Sequence, residues 1–185
     1  MRSFKRVIIV PMGSLGASCL QRLMETVSSL TSLSVDLGPS LPPPIPAFNP
    51  VKRKFYSHFI IEYLRRHHPQ ADVIIGLVDA DIYSEILDNV ISEVQHLQQA
   101  GVISLSLLKE FLFGERPEAL LCERLAKETI HILGHLSGLG HCHNPRCLMY
   151  PSHGVLETDF KQLGFCPECQ IRLRLGSPMA SRRIG

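Results

Sequence analysis

The chain has 185 residues, 45% hydrophobic and 19% charged, an ordinary globular mix that excludes a disordered chain and predicts one domain. Lys and Arg number 19 against 17 Asp and Glu, and a formal net charge of +2 gives no electrostatic case for a dedicated nucleic-acid binder. No apolar run approaches the roughly 18–20 residues that a membrane-spanning helix needs, so the expectation is a cytoplasmic protein without a membrane anchor.

Arg2, Lys5 and Arg6 precede a short apolar stretch. It is too short for a secretory signal and reads as a buried first strand over residues 6–11. Leu20, Leu23, Met24, Val27 and Leu30 give residues 17–31 one apolar helical stripe. A second strand follows at 33–37, then a proline-rich connection at 41–50 that is neither helix nor central strand. Helical spacing returns over 54–67, and residues 71–78 read as a third strand. The acids at 79–83 begin a turn. Residues 89–96 alternate loosely and read as an edge strand, although a helix through Ile86, Val90, Ile91, Val94 and Leu97 fits almost as well. Residues 101–107 read as a strand and 117–136 as a helix that starts at Pro117 and stops at Gly138. A short helix near 167–175 closes a loop-rich tail. Strands alternating with helices predict an α/β fold with a mostly parallel sheet. The division is a 1–140 subdomain carrying the histidine helix and a 141–185 C-terminal subdomain.

The chemistry is concentrated after residue 127. His131 and His135 stand four apart on the predicted helix, which places both rings on one face. Gly138 breaks the helix and permits a sharp turn that brings His141 back toward them. Three neutral imidazoles hold Zn²⁺ with a fourth position open, the pattern of a catalytic site. Cys142, Cys147, Cys166 and Cys169 form two close pairs with four and two intervening residues. Such pairs make a closed four-thiolate zinc site, which is structural and braces the adjacent His141. Two zinc ions per chain follow, and clustered thiols point to a reducing compartment. Cys19 and Cys122, on predicted helices, read as buried apolar residues.

The stretch from His131 to Cys169 resembles the archaemetzincin family of metzincin zinc metallopeptidases: HxxxHxxGxxHC, four residues, Cys147, one residue, Met149, then Cys-Pro-Glu-Cys. The resemblance implies a compact metzincin fold with a twisted sheet, a backing helix, an active-site helix and a C-terminal subdomain. It implies zinc on His131, His135 and His141, with Met149 as an apolar floor beneath the metal. It also implies peptide-bond hydrolysis, with a peptide or protein partner bound extended along an edge strand, by a protein expected to be a monomer.

One residue departs from that pattern. Metallopeptidases of this kind carry glutamate directly after the first histidine, and here the residue is Ile132. Isoleucine neither takes a proton from a metal-bound water nor delivers one to a leaving amine. Glu128, one helical turn earlier, is expected to point away from the metal, either as a solvated group or as one behind the histidine ligands. Glu157 and Asp159 remain open as substitutes. The reading is therefore a zinc metallopeptidase scaffold with impaired chemistry. The alternatives are a non-catalytic zinc-dependent peptide-binding protein, and a zinc-ribbon interaction module drawing on Arg172, Arg174, Arg182 and Arg183.

Overall fold

A computed structural model describes residues 4–112 and 117–175; Arg2, Arg182 and Arg183 lie outside them. The strands are β1 (Arg6–Met12), β2 (Ser34–Leu37), β3 (Phe48–Asn49), β4 (Lys54–Tyr56), β5 (Val73–Val78), β6 (Ile82–Tyr83), β7 (Ser92–Gln95) and β8 (Ala100–Ser104). The α-helices are α1 (Ala17–Thr31), α2 (Ser57–His67), α3 (Leu105–Leu108), α4 (Pro117–Leu136), α5 (Val155–Phe160) and α6 (Pro167–Leu175), with a 3₁₀ turn at Ile45–Ala47.

Five strands form the main sheet in the order β2-β1-β5-β8-β7. The first four run parallel, and β7 pairs antiparallel with β8 at the edge. Every residue of β5 and β8 is buried, as expected for central parallel strands covered on both faces. Alternation sorts their side chains. Val73, Ile75 and Leu77 join Leu23 and Val27 of α1 and Leu125 and Leu133 of α4. Ile74 and Val78 join Ile60, Ile61 and Leu64 of α2 on the opposite face. Each such side chain contributes roughly 1.5–3 kcal/mol on burial, so the first layer holds α4, with α1, against one face of the sheet. A third cluster gathers Leu139, Cys142, Cys147, Met149 and Cys169 beside them.

The expected mostly parallel α/β fold is present, with local differences. Residues 54–56 are a strand, not the start of a helix, because Phe55 and Tyr56 pair with Ile82 and Tyr83 in a small second sheet, β3-β4-β6. The loosely alternating segment before β8 is the edge strand and not a helix. The next strand stops at Ser104, whose hydroxyl accepts from the Leu107 N–H and caps the single turn of α3.

Cys19 and Cys122 require a correction. Both are buried, but they are disulfide-bonded to each other, joining α1 to α4 across 103 residues of sequence with Cα atoms 5.4 Å apart. Helical periodicity places each on an apolar stripe, and only the packing of the two helices brings them together.

Replacing Cys122 with Ser is expected to lower stability by about 2–4 kcal/mol, the usual contribution of a native disulfide closing a long loop. Urea unfolding of the variant and of reduced wild type checks it. Both should lose the same increment, and an unchanged midpoint in either would contradict a covalent staple.

Candidate metal centre

α4 is buried on nearly every side, which fixes the two histidines it carries. Its C-terminus is closed by Gly138 at φ 96°, a left-handed turn suited to glycine. The Gly138 N–H donates to the His135 carbonyl at 2.8 Å and the Leu139 N–H to the Gly134 carbonyl at 3.0 Å. This closure turns the chain back on itself. The His141 ring then lies 5.5 Å from that of His131 and 4.8 Å from that of His135. One ring nitrogen from each of the three lies within 4.8 Å of the others, so the set expected from sequence does converge.

The tautomers follow from the backbone. Nδ1 of His131 lies 2.8 Å from the Leu148 carbonyl oxygen, and Nδ1 of His135 lies 2.9 Å from that of Leu139. A carbonyl only accepts, so both Nδ1 atoms carry protons. Burial pushes the His131 pKa down to about 4. Burial, with His131 and His141 as neighbours, pushes that of His135 down to about 3. Burial lowers His141 as well. At neutral pH both helix rings are neutral, and their Nε2 atoms are bare lone pairs only 3.0 Å apart. Two acceptors at that distance repel unless a cation lies against both. The donor set therefore fits a zinc ion, with the carbonyl bonds orienting the ligands.

The four cysteines form a second cluster. Cys142 Sγ lies 3.8 Å from Cys166 Sγ, and Cys147 Sγ lies 3.8 Å from Cys169 Sγ. A tetrahedron with metal–sulfur bonds of about 2.3 Å has edges of about 3.8 Å, so the spacing fits zinc and excludes disulfides between these partners. The Asn144 and Cys166 N–H groups donate to the Cys142 and Cys147 sulfurs at 3.4 and 3.3 Å, as suits thiolates. Met149, fully buried, joins this cluster to α4: a Cβ on Gly134 would stand 2.4 Å from its Sδ. Only glycine at 134 lets methionine pack that close beneath the histidine helix.

Ile132 is 1% exposed and belongs to the main core. It packs on β8, where a Cβ on Gly101 would stand 2.7 Å from its Cγ2.

Of the two readings the sequence leaves open for Glu128, the solvated one is excluded; it is 1% exposed. Its carboxylate accepts from Lys161 Nζ at 2.8 Å, Thr158 Oγ1 at 2.9 Å, Ser92 Oγ at 2.8 Å and Ser152 Oγ at 3.4 Å. Burial alone would raise its pKa. The Lys161 ammonium, then His131 and the hydrogen bonds, outweigh burial and hold it at about 2. Sequence spacing does not reveal this role, because the partners come from β7, the loop after Met149, α5 and the residue that follows it. The other two acids are also engaged. Glu157 accepts from the Gly154 N–H at 3.0 Å, and Asp159 receives Arg124 through two bonds of 2.6 and 2.7 Å. Arg124 is itself 1% exposed and also donates to the Leu108 and Glu110 carbonyls.

The family model of Peptidase family M54 matches residues 53–175. The archaemetzincin of Thermococcus kodakarensis is 32% identical over 176 residues, spanning 90% of this chain and 94% of that one. The archaemetzincin of Methanocaldococcus jannaschii is 30% identical over 170 residues, spanning 91% and 93%. The crystal structure of archaemetzincin from Methanopyrus kandleri matches with a TM-score of 0.81 at 28% identity, covering 94% of this chain and 95% of that one. The archaemetzincin from Archaeoglobus fulgidus, complexed with malonate, matches at 0.77 and 27%, covering 90% and 99%.

Removing Glu128 as Ala leaves the Lys161 ammonium buried without its counter-charge and is expected to cost about 3–5 kcal/mol. Glu128→Leu combined with Lys161→Met should recover most of that in chemical unfolding; a double variant no better than the single would contradict the pairing. The pH dependence has a definite sign. His131 and His135 have folded pKa values near 4 and 3 against 6.5 when unexposed to the fold, so between these values the unfolded chain binds more protons. Metal-free protein should therefore lose stability as pH falls from about 6.5 toward 4. Glu128, held at about 2 against 4.5, adds a loss of the same sign at still lower pH. A metal-free unfolding midpoint that stays flat from pH 7 to 4 would contradict the neutral, buried imidazoles.

Proposed function

Because this chain belongs to peptidase family M54, the archaemetzincins, we propose that it keeps the zinc centre and peptide cleft of a metallopeptidase and has lost most of the hydrolytic step. The observation that carries the second half is Ile132. It occupies the position that holds glutamate in an HExxH site, and it is buried against Gly101 of β8.

In this reading His131, His135 and His141 hold the catalytic-type zinc, with the tautomers fixed by the Leu148 and Leu139 carbonyls. Cys142, Cys147, Cys166 and Cys169 hold a second, structural zinc. Met149 is the methionine of a Met-turn, and its tight packing on Gly134 supports that role. Bound zinc supplies a Lewis acid that polarises a carbonyl and acidifies a water. The chain must supply the proton traffic. Ile132 has no group to do so, and Glu128, Glu157 and Asp159 are engaged with Lys161, the Gly154 N–H and Arg124. Substrate lies extended along β7, which among the described residues is the last strand of the sheet. What remains is peptide binding with weak turnover, the property of a pseudoenzyme.

The paired cysteines alone resemble a zinc-ribbon module. Their packing with Met149 and Leu139 in one buried cluster supports a brace for the histidine site instead.

Ile132→Glu is the direct test. A positioned general base contributes about 10²–10⁴ in rate, so the variant should gain zinc-dependent cleavage of a peptide library by that factor over wild type. Wild-type cleavage already at full rate, or no gain in a folded, zinc-loaded variant, would contradict the reading.

A further inference from the structure

A cavity of about 770 Å³ lies behind the histidine helix, apart from the metal centre. α4 contributes Ile130, Leu133, Gly134 and Ser137 to its lining. At 3.6 residues per turn, this stripe is rotated about a third of a turn from the one that carries His131 and His135. Among the described residues, none of the three histidines and none of the four cysteines lines the cavity. The end of α1 adds Leu30, the turn after it Leu33, and the C-terminal region Phe165 and Leu173. The size falls within the roughly 300–1,000 Å³ of ligand pockets, and an apolar lining with few polar groups is their usual composition.

Arg174 of α6 is the single charged side chain on this lining among the described residues, and none of them pairs with it. Arg172, two residues earlier on the same helix, meets Glu168 one turn back. The residue one turn before Arg174 is Gln170, which is uncharged and donates to the Phe165 carbonyl at 2.8 Å. The guanidinium fork is thus left for a group from outside, and such a fork matches a carboxylate. A second acid elsewhere in the cavity is disfavoured. Leu30, Thr31 and Ser32 on the lining form the C-terminus of α1, where a helix carries partial negative charge. The lining therefore has one place for an anion and an apolar remainder.

We propose that this cavity is a binding site for an aliphatic monocarboxylate, a free fatty acid of medium length. The carboxylate lies at Arg174 and the tail against Leu30, Leu33, Ile130 and Leu133. The site is separate from the zinc centre and does not rest on that reading. Chain length supplies the affinity, since each buried methylene is worth up to about fourfold. Arg174 selects the head group.

The test is calorimetric titration of the full chain with hexanoate, octanoate and decanoate, with decanol and decanedioate as controls. Affinity should rise at least about twofold per added methylene, and decanoate should bind more tightly than either control. Arg174→Gln should weaken decanoate about fivefold, the upper end for a solvent-facing ion pair, and leave decanol unchanged. Gly164 lines the cavity, and a Cβ there would meet no atom within 4 Å. Gly164→Leu therefore adds bulk without a clash, and it should abolish binding of every chain length at an unchanged unfolding midpoint. No binding of decanoate, an affinity independent of chain length, or binding that Gly164→Leu leaves intact overturns the proposal. Decanol binding as tightly as decanoate, or Arg174→Gln acting equally on both, overturns the carboxylate part. A chain that is dimeric by light scattering and that Gly164→Leu makes monomeric places a second copy in the cavity and overturns the small-molecule site. If Gly164→Leu fails to fold, Arg174→Gln with the chain-length series decides.

Discussion

Two unprotonated nitrogens, Nε2 of His131 and Nε2 of His135, face each other across 3.0 Å on a helix buried on nearly every side. The arrangement is repulsive as it stands and becomes favourable when a cation joins them. Much of the chain serves to hold it. The core fixes α4 on nearly every side. The Leu148 and Leu139 carbonyls hold the rings by their Nδ1 protons. Gly138 turns the chain so that His141 completes the set. The cysteine cluster begins at the very next residue, so a metal there would pin His141 from the far side.

A second constraint is the buried charge beside this centre. Glu128 and Lys161 are both almost inaccessible, and burying an isolated charge costs several kcal/mol. Each is tolerated because it has the other. The pair also links three walls: Glu128 comes from α4, Ser92 from the edge strand β7, and Thr158 from α5. Arg124 and Asp159 repeat the link between α4 and α5. The same pairing removes Glu128 from the chemistry, because an acid held near pKa 2 by a lysine is a poor proton acceptor at neutral pH.

What the sequence made legible was local. Apolar spacing located α1, which buries a stripe set by 3.6 residues per turn, and Pro117 and Gly138 bounded α4. The histidine and cysteine sets were readable because a metal demands particular donors at particular spacings. What stayed hidden depends on contacts between distant elements. Phe55 carries helical spacing yet lies in a strand, because β6 offers it and Tyr56 partners. Cys19 and Cys122 look like ordinary helix residues until α1 lies against α4. Whether Glu128 is solvated stays open until residues 92, 152, 158 and 161 close over it. Ile132 was the reverse case: its departure from the HExxH pattern was visible at one position, and its packing on Gly101 was not.

The most direct test of this account is the zinc content of protein purified without added metal or chelator, compared with two variants. Wild type should carry two zinc ions per chain, His135→Ala one, and the Cys166→Ser/Cys169→Ser pair one at the histidine set if it stays folded. A wild-type chain with a single zinc that His135→Ala leaves in place would contradict the central claim, that the three histidines form a metal centre despite the missing glutamate.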